Sequence, residues 1–520
     1  MAPHDEPHLH EDLSHCSGCC GCTPPGITRR DFLKASTVAM GGIAMTGLSW
    51  RSLAAAEPKA PAPPARKELV VQPILTYDSP RPRSQASWRN WGGVHGDDAA
   101  EKESARIAAE LKALAAAADF PVRFLDVVKA RGPADVEKAL AAEADAVIFY
   151  AAGGWMNVFD AALKAGKHTI VFVRHKSGPV YLWYEIISPR YLRQHGDALA
   201  VKGMDFQDVV VDSADELTWR LRALCGLKNA LGTRIVAIGG PGGWGPGGQK
   251  GPDDAREKWK MDIRTVSYKD LAPLLAAAMK DEAAMKAAEA AATAYLDDKT
   301  VKLETKKEFV THCFVLEQVF RRLMAEADAP AITVNACMGT IMPISKTTAC
   351  LTLTLLNDAG YMAFCESDFV VIPAGVLLSY ISGKPPFLHN PTYPHDGTIT
   401  LAHCTAPRKM DGKTLEPVRI VTHFESDYGA APKVEMRKGQ RITSIIPDFA
   451  ASRWAGLTSE IIDAPFLPIC RSQIDVKYAC SDAKLVEAMR GFHWQSVYGD
   501  YLREVGYALK KTPIQWEQLA

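Results

Sequence analysis

Neither sign of charge is in surplus, because 60 lysines and arginines are balanced by 60 aspartates and glutamates. That removes the basic excess of nucleic-acid binders and the high net charge of disordered chains. Long apolar runs are missing as well. A membrane-spanning helix needs about 20 apolar residues, and the longest stretch, near residues 35 to 50, is diluted by Gly, Ser and Thr. No stable membrane insertion and no nucleic-acid partner are therefore expected. Past the first 22 residues no C-x-x-C pair occurs, and this lack of clustered thiolates argues against a zinc or iron–sulfur centre. Cys225, Cys313, Cys337, Cys350, Cys365, Cys404, Cys470 and Cys480 read instead as mostly buried free thiols. A phosphate-binding loop is absent too. The glycine-dense Gly239–Gly248 lacks the terminal Lys-Ser or Lys-Thr, and no helix opens directly after its glycines. It reads as a loop carrying Trp244 near a pocket.

What is present begins with an export signal. Thr28, Arg29, Arg30, Asp31, Phe32, Leu33 and Lys34 look like the twin-arginine motif, a weakly apolar segment follows, and Ala54, Ala55 and Ala56 offer an A-x-A cleavage site. Residues 1–56 are thus expected to be a signal peptide and 57–67 a Pro- and Ala-rich linker. The implied partner is the twin-arginine machinery, which resembles an exporter of folded, cofactor-loaded proteins, and the expected location is the periplasm or the extracellular space. Ahead of the arginines, His4, His8, His10 and His15 stand among Cys16, Cys19, Cys20 and Cys22. Such a tip can bind zinc or copper, or be discarded with the signal.

From Leu69 onward, continuous apolar strands alternate with amphipathic helices, the pattern of a parallel sheet covered on both faces. Strands are expected at Leu69–Leu75, Val122–Val127, Ala146–Ala151 and His168–Arg174, with helices such as Asp97–Ala117 between them. A second alternation starts at Thr233 and includes long helices over about Leu271–Leu296 and Lys306–Ala327 and another near Lys346–Ala359. After about Gly397 the pattern turns to period-two strands. The expected fold is α/β: two doubly wound parallel-sheet domains, 68–230 and 231–396, followed by an antiparallel, barrel-like domain, 397–520.

The residues that carry chemistry lie late in the chain. Glu366 follows the apolar run Tyr361–Cys365 within Cys365-Glu-Ser-Asp368, which puts a carboxylate at the C-terminal end of a strand, where open α/β sheets bind ligands. Asn390 and His403 follow the next apolar segments, in Pro385-Pro-Phe-Leu-His-Asn-Pro391 and Leu401-Ala-His-Cys-Thr405. His493 stands in Gly491-Phe-His-Trp-Gln-Ser-Val-Tyr-Gly-Asp500. Carboxylate, amide oxygen and a single imidazole suit Mn²⁺ or Mg²⁺. Each residue taken singly also fits a hydrogen-bonded structural role.

These segments, with the order of two α/β domains and a barrel, resemble the L-fucose and L-arabinose isomerase superfamily. The resemblance implies a Mn²⁺ enzyme that interconverts an aldose and a ketose, with a sugar as substrate and a homo-oligomeric assembly. Glu366 matches the first metal carboxylate, His493 the late histidine and His403 a histidine near the sugar. Asn390 falls where fucose isomerases keep an aspartate that is both ligand and base. An amide can ligate a metal but cannot take a proton from carbon, so the base is then Glu366 with another group such as Asp368 or His389, or the chemistry differs. The expected metal ligands are Glu366, Asn390 and His493, and the expected acid–base groups Glu366, His403 and Asp368. Trp88 and Arg89, in a loop the family uses toward a neighbouring subunit's sugar, and Trp183 and Glu185 are expected to bind substrate. Two other readings stay open: an exported carbohydrate-binding protein without the base, and a metal-dependent epimerase or lyase.

Overall fold

The computed structural model describes residues 63–154, 156–164, 166–181, 187–200 and 204–520. The expected signal 1–56 with its Cys- and His-rich tip, and Trp183 and Glu185, lie outside the described residues.

Strands β1 (Leu69–Thr76), β2 (Val122–Phe124), β3 (Val128–Ala130), β4 (Ala146–Ala151), β5 (His168–Val173) and β6 (Val209–Val211) form one parallel sheet. β2 and β3 pair with successive halves of β1, and β4, β5 and β6 follow on its other side. The single strand expected over Val122–Val127 is thus two short ones. Pro73, in the middle of β1, has no N–H to offer there, and the Gln72 side-chain amide donates instead to the Asp126 carbonyl at 2.9 Å. Every residue of β4 is buried, as its uninterrupted apolar run requires.

Helix Ala214–Ala230 leads to the second sheet and crosses helix Ile372–Ser382 at Gly226, where a Cβ would meet Ile381 Cγ1 at 2.3 Å. This sheet holds β7 (Arg234–Ile238), β8 (Asp262–Val266), β10 (Ala331–Val334) and β11 (Met362–Cys365), parallel and in the order β11-β10-β7-β8; β9 (Val301–Leu303) lies elsewhere. The chain moves from β7 to one side and returns to the other at β10, which opens a crevice at the carboxyl ends of these two strands. The long helix expected over Leu271–Leu296 is two, Tyr268–Ala278 and Glu282–Leu296. Asp281 starts the second by accepting the Ala284 N–H at 2.9 Å. The helix expected near Lys346–Ala359 is present as Ala349–Asp358, and a further helix, Cys337–Ser345, precedes it.

The third sheet comprises β12 (Phe387–Pro391), β13 (Thr398–His403), β16 (Arg441–Pro447), β17 (Arg453–Asp463), β18 (Ser472–Tyr478) and β19 (Trp494–Tyr498). It closes on itself as an antiparallel six-strand barrel in the cyclic order β16-β19-β12-β13-β18-β17. Phe387, Leu401, Ile442, Leu457, Ile474 and Trp494, all buried, belong to one core cluster with it. β12 precedes residue 397, so the ring takes its first strand from the segment assigned to the second domain. β14 (Val418–Val421) and β15 (Ala431–Val434) form a hairpin that pairs with β9, and β20 (Gln515–Gln518) lies parallel to β17. Among the described residues no helix is long and apolar enough to cross a membrane.

Candidate metal centre

Glu366 and Ser367 leave β11 in the left-handed region, at φ 63° and 48°, a conformation uncommon for residues with a Cβ. The turn is held from below by the Ser367 N–H, which donates to Thr333 Oγ1 on β10 at 3.1 Å. The glycine-rich loop after β7 clamps it from the side. Gly242 N–H donates to the Ser367 carbonyl and Phe369 N–H to the Gly242 carbonyl. The loop's glycines serve its closure on itself, since a Cβ on Gly243 would meet Gly248 O at 1.9 Å. Trp244, carried on this loop, stacks on Phe492 with ring centres 4.2 Å apart and lies edge-on to His493.

The barrel rim supplies two imidazoles. His403 ends β13 and His493 directly precedes β19, the strands on either side of β12. Two strand spacings of about 4.8 Å separate their backbones, yet their ring centres are 5.9 Å apart, so the side chains lean toward each other. Nε2 of His403 faces Glu366 Oε1 at 3.6 Å and Nε2 of His493 faces Oε2 at 3.2 Å. One ligand atom from each of Glu366, His403 and His493 lies within 4.8 Å of the others. Both histidines are buried, and their Nε2 atoms point at the Glu366 carboxylate. On its other side His493 shares a 2.8 Å hydrogen bond between Nδ1 and Asp368 Oδ2. Asp368 also accepts the Val370 N–H at 3.1 Å and the Trp244 N–H at 3.4 Å.

Burial by itself would raise the Glu366 carboxyl, but hydrogen bonds and charge from His403 and His493 hold it well below the usual carboxylate range. For His493 burial disfavours the cation, and Asp368 and Glu366 outweigh it, pushing the imidazole up to about 10. His389, inside the barrel with Nε2 2.7 Å from Ser496 Oγ, is driven well below its ordinary value by burial and by the two neighbouring histidines.

The structure therefore gathers Glu366, His403, His493 and Asp368. Asn390 lies on β12 opposite Ala402, on the other face of the strand from His389, and hydrogen-bonds to none of the four. Trp88 and Arg89 lie in the loop after β1, with the guanidinium carbon 5.4 Å from the Trp88 ring centre, and Trp91 beside them is 76 % exposed.

Several residues at this centre carry no local signal in the sequence. The β14–β15 turn brings His423 and Glu425, with His423 Nε2 3.1 Å from Glu425 Oε2. Burial raises the Glu425 carboxyl, and the charge of Glu366 adds to the rise. The thiols that read as scattered in the sequence also converge here. One ligand atom each of Cys365, His403 and Cys404, and one each of Cys350, Cys404 and His423, fall within 4.8 Å. Cys365 and Cys404 directly adjoin Glu366 and His403, which is the one clue the sequence offers. Compared with known proteins, the chain matches no family model and no curated protein.

Proposed function

We propose that the chain is an exported, metal-dependent enzyme of the L-fucose and L-arabinose isomerase type, moving a proton beside the carbonyl of a sugar or sugar acid. The observation that carries this reading is the convergence of Glu366, His403 and His493 at the carboxyl edge of the second sheet. The chain order of two parallel sheets ahead of a barrel supports it. So does the path of each sheet, which starts centrally, runs to one edge and returns to the other; we read both as doubly wound.

Glu366, His403 and His493 would hold the metal, for each presents an oxygen or an Nε2 toward a common point. A bound divalent ion would supply Lewis acidity toward the substrate carbonyl. Two imidazoles with one carboxylate fit Mn²⁺, Fe²⁺ or Zn²⁺ better than the oxygen-seeking Mg²⁺, and Mn²⁺ remains the expected ion. Asp368 fixes the His493 ring and its tautomer, a positioning role for which its buried contacts leave it suited. Trp244 and Phe492 wall the His493 side against water. Asn390 cannot accept a proton from carbon. Glu425, whose carboxyl feels the charge of Glu366, takes that role in our reading, since two nearby carboxyls held in opposite directions divide into ligand and acid–base group.

The test is a panel of aldoses, ketoses and sugar acids offered to the Mn²⁺-loaded protein in D₂O. Solvent deuterium should enter the product of at least one, and no incorporation with any of them would sink the reading. Asn390 favours a second possibility, a carbohydrate-binding protein, which would show sugar affinity with no exchange; an epimerase or lyase would show exchange without an aldose–ketose product. The exposed Trp88–Arg89–Trp91 loop suits a subunit contact that completes a neighbour's sugar site.

A further inference from the structure

Three separate elements deliver a second constellation behind the Glu366 centre. Cys350 stands in the first turn of helix Ala349–Asp358, Cys404 directly follows β13, and His423 opens the β14–β15 turn. Buried hydroxyls tie the other two elements to that helix. Thr354 Oγ1 donates to the Ala406 carbonyl at 3.0 Å, which fixes the Cys404 segment. Thr348 Oγ1 donates to the Ala430 carbonyl at 2.9 Å, which fixes the hairpin. Gly429 permits that approach, because a Cβ there would meet the Thr348 nitrogen at 2.6 Å.

The three side chains are 3 %, 4 % and 3 % exposed. Beside them a small cavity takes half of its lining from sulfur-bearing residues, Cys337, Met338, Met342 and Cys350, and the rest from His423 and three sulfur-free neighbours. Cys365 adds a third thiol, its sulfur within 4.8 Å of the Cys404 sulfur. Buried cysteines alone would pass as small hydrophobes. Two thiols meet an imidazole in one buried spot, on three unrelated elements, and that imidazole also reaches Ser426 Oγ through Nδ1 at 3.2 Å and Glu425 Oε2 through Nε2 at 3.1 Å.

We propose that Cys350, Cys404 and His423 form a second metal site, for a thiophilic d¹⁰ cation of the zinc or copper(I) kind. Around zinc, with Zn–S bonds of about 2.3 Å, tetrahedral ligand atoms stand about 3.8 Å apart. The three atoms already lie within 4.8 Å, so closing on a cation asks each to move by about 0.6 Å. Soft sulfur ligands select such ions over Mn²⁺. The site is distinct in ligand chemistry from the Glu366 centre and does not depend on the sugar reading.

The experiment uses the whole mature protein, stripped of metal and reloaded with Co²⁺ as a spectroscopic stand-in for zinc, and with copper(I) in competition with a chromogenic chelator. A thiolate-to-cobalt charge-transfer band should appear, persist in Glu366→Gln, and vanish in the double variant Cys350→Ser, Cys404→Ser. His423→Gln, which keeps both thiols for the fold, should weaken Co²⁺ binding at the band by at least about tenfold, the loss that even an outer-shell partner causes. The copper arm decides which ion is held more tightly. Mn²⁺ binding, followed by electron paramagnetic resonance, reports the Glu366 centre separately. Absence of the charge-transfer band in the unsubstituted protein would overturn the proposal, as would a Cys350–Cys404 disulfide in peptide maps of freshly purified, unreduced protein.

Discussion

Asp368 holds one nitrogen of His493 at 2.8 Å while the other nitrogen of the same ring faces Glu366 at 3.2 Å. The imidazole is thereby strung between two carboxylates with different duties, one that orients the ring and one that shares its ligand face. Metal-binding histidines usually carry such an outer partner, and its effects are separable by substitution.

Asp368→Asn keeps the size of the side chain and most of its contacts but removes the charge that fixes the His493 tautomer. Mn²⁺ affinity should fall about 10- to 100-fold with the fold intact. Isothermal titration measures it, and unchanged affinity would contradict the positioning role.

Glu366→Gln and Glu425→Gln should part company. The first removes a ligand and should abolish Mn²⁺ binding and deuterium exchange together. The second should leave Mn²⁺ bound and lower exchange by about 10²- to 10⁴-fold, the usual worth of a positioned acid–base group.

Gly491 lies two residues before His493, and a Cβ there would meet the Pro447 carbonyl oxygen at 2.2 Å. Gly491→Ala should therefore cost about 1–3 kcal/mol in chemical denaturation and weaken Mn²⁺ binding. Gly226→Ala, which strikes Ile381 at a helix crossing far along the chain, should destabilise without touching the metal. Equal loss of metal affinity in both would show that Gly491 does not set the geometry of His493.

Asp358 offers a pH signature away from the centre. Burial pushes its carboxyl up to about 6 from 3.8, against the backbone N–H groups of Lys409 and Arg408, which lower it. Its Oδ1 accepts those two N–H groups, and its enclosed Oδ2 has no partner among the described residues. The folded state thus binds this proton more tightly than the unfolded chain, so the group favours folding most below about pH 4, and that advantage is lost as pH rises through about 6. Asp358→Asn should be more stable than the unsubstituted protein at pH 7.5, by up to about 3 kcal/mol, and the gap should close toward pH 4. A gap independent of pH would refute the assignment.

Changing Arg29 and Arg30 together to lysine should strand the protein in the cytoplasm, with its N-terminal segment uncleaved. Cell fractionation checks this, and undiminished export would remove the twin-arginine reading.

Elements whose burial is written locally were legible in the sequence. The unbroken apolar run of β4 and the amphipathic Asp97–Ala117 occur at the expected residues. Glu366 and His403 were legible for the same reason, a polar residue closing an apolar strand. His423 and Glu425 were not, because what brings them to the centre is the docking of a hairpin onto helix Ala349–Asp358 through Thr348 and Gly429, a long-range contact with no spacing rule. The thiols were legible as mostly buried and free, but not their convergence, since zinc-site expectation looks for C-x-x-C pairs and here each cysteine comes from a different element. The break at Asp281 had a readable cap, but the Ala-rich sequence on both sides outweighed it.

The barrel's closure has a consequence for how its rim can respond to a ligand. An open sheet can let one strand slide, but in a ring of six ladders a slip by one residue at β13 must be absorbed by every other pairing, and it would also turn His403 from the inner face to the outer. The spacing of His403 and His493 is therefore a property of the whole ring. Ion choice at this centre would then be governed by a rigid gauge, and the adjustable jaw is Glu366, on a single turn between β11 and helix Ile372–Ser382.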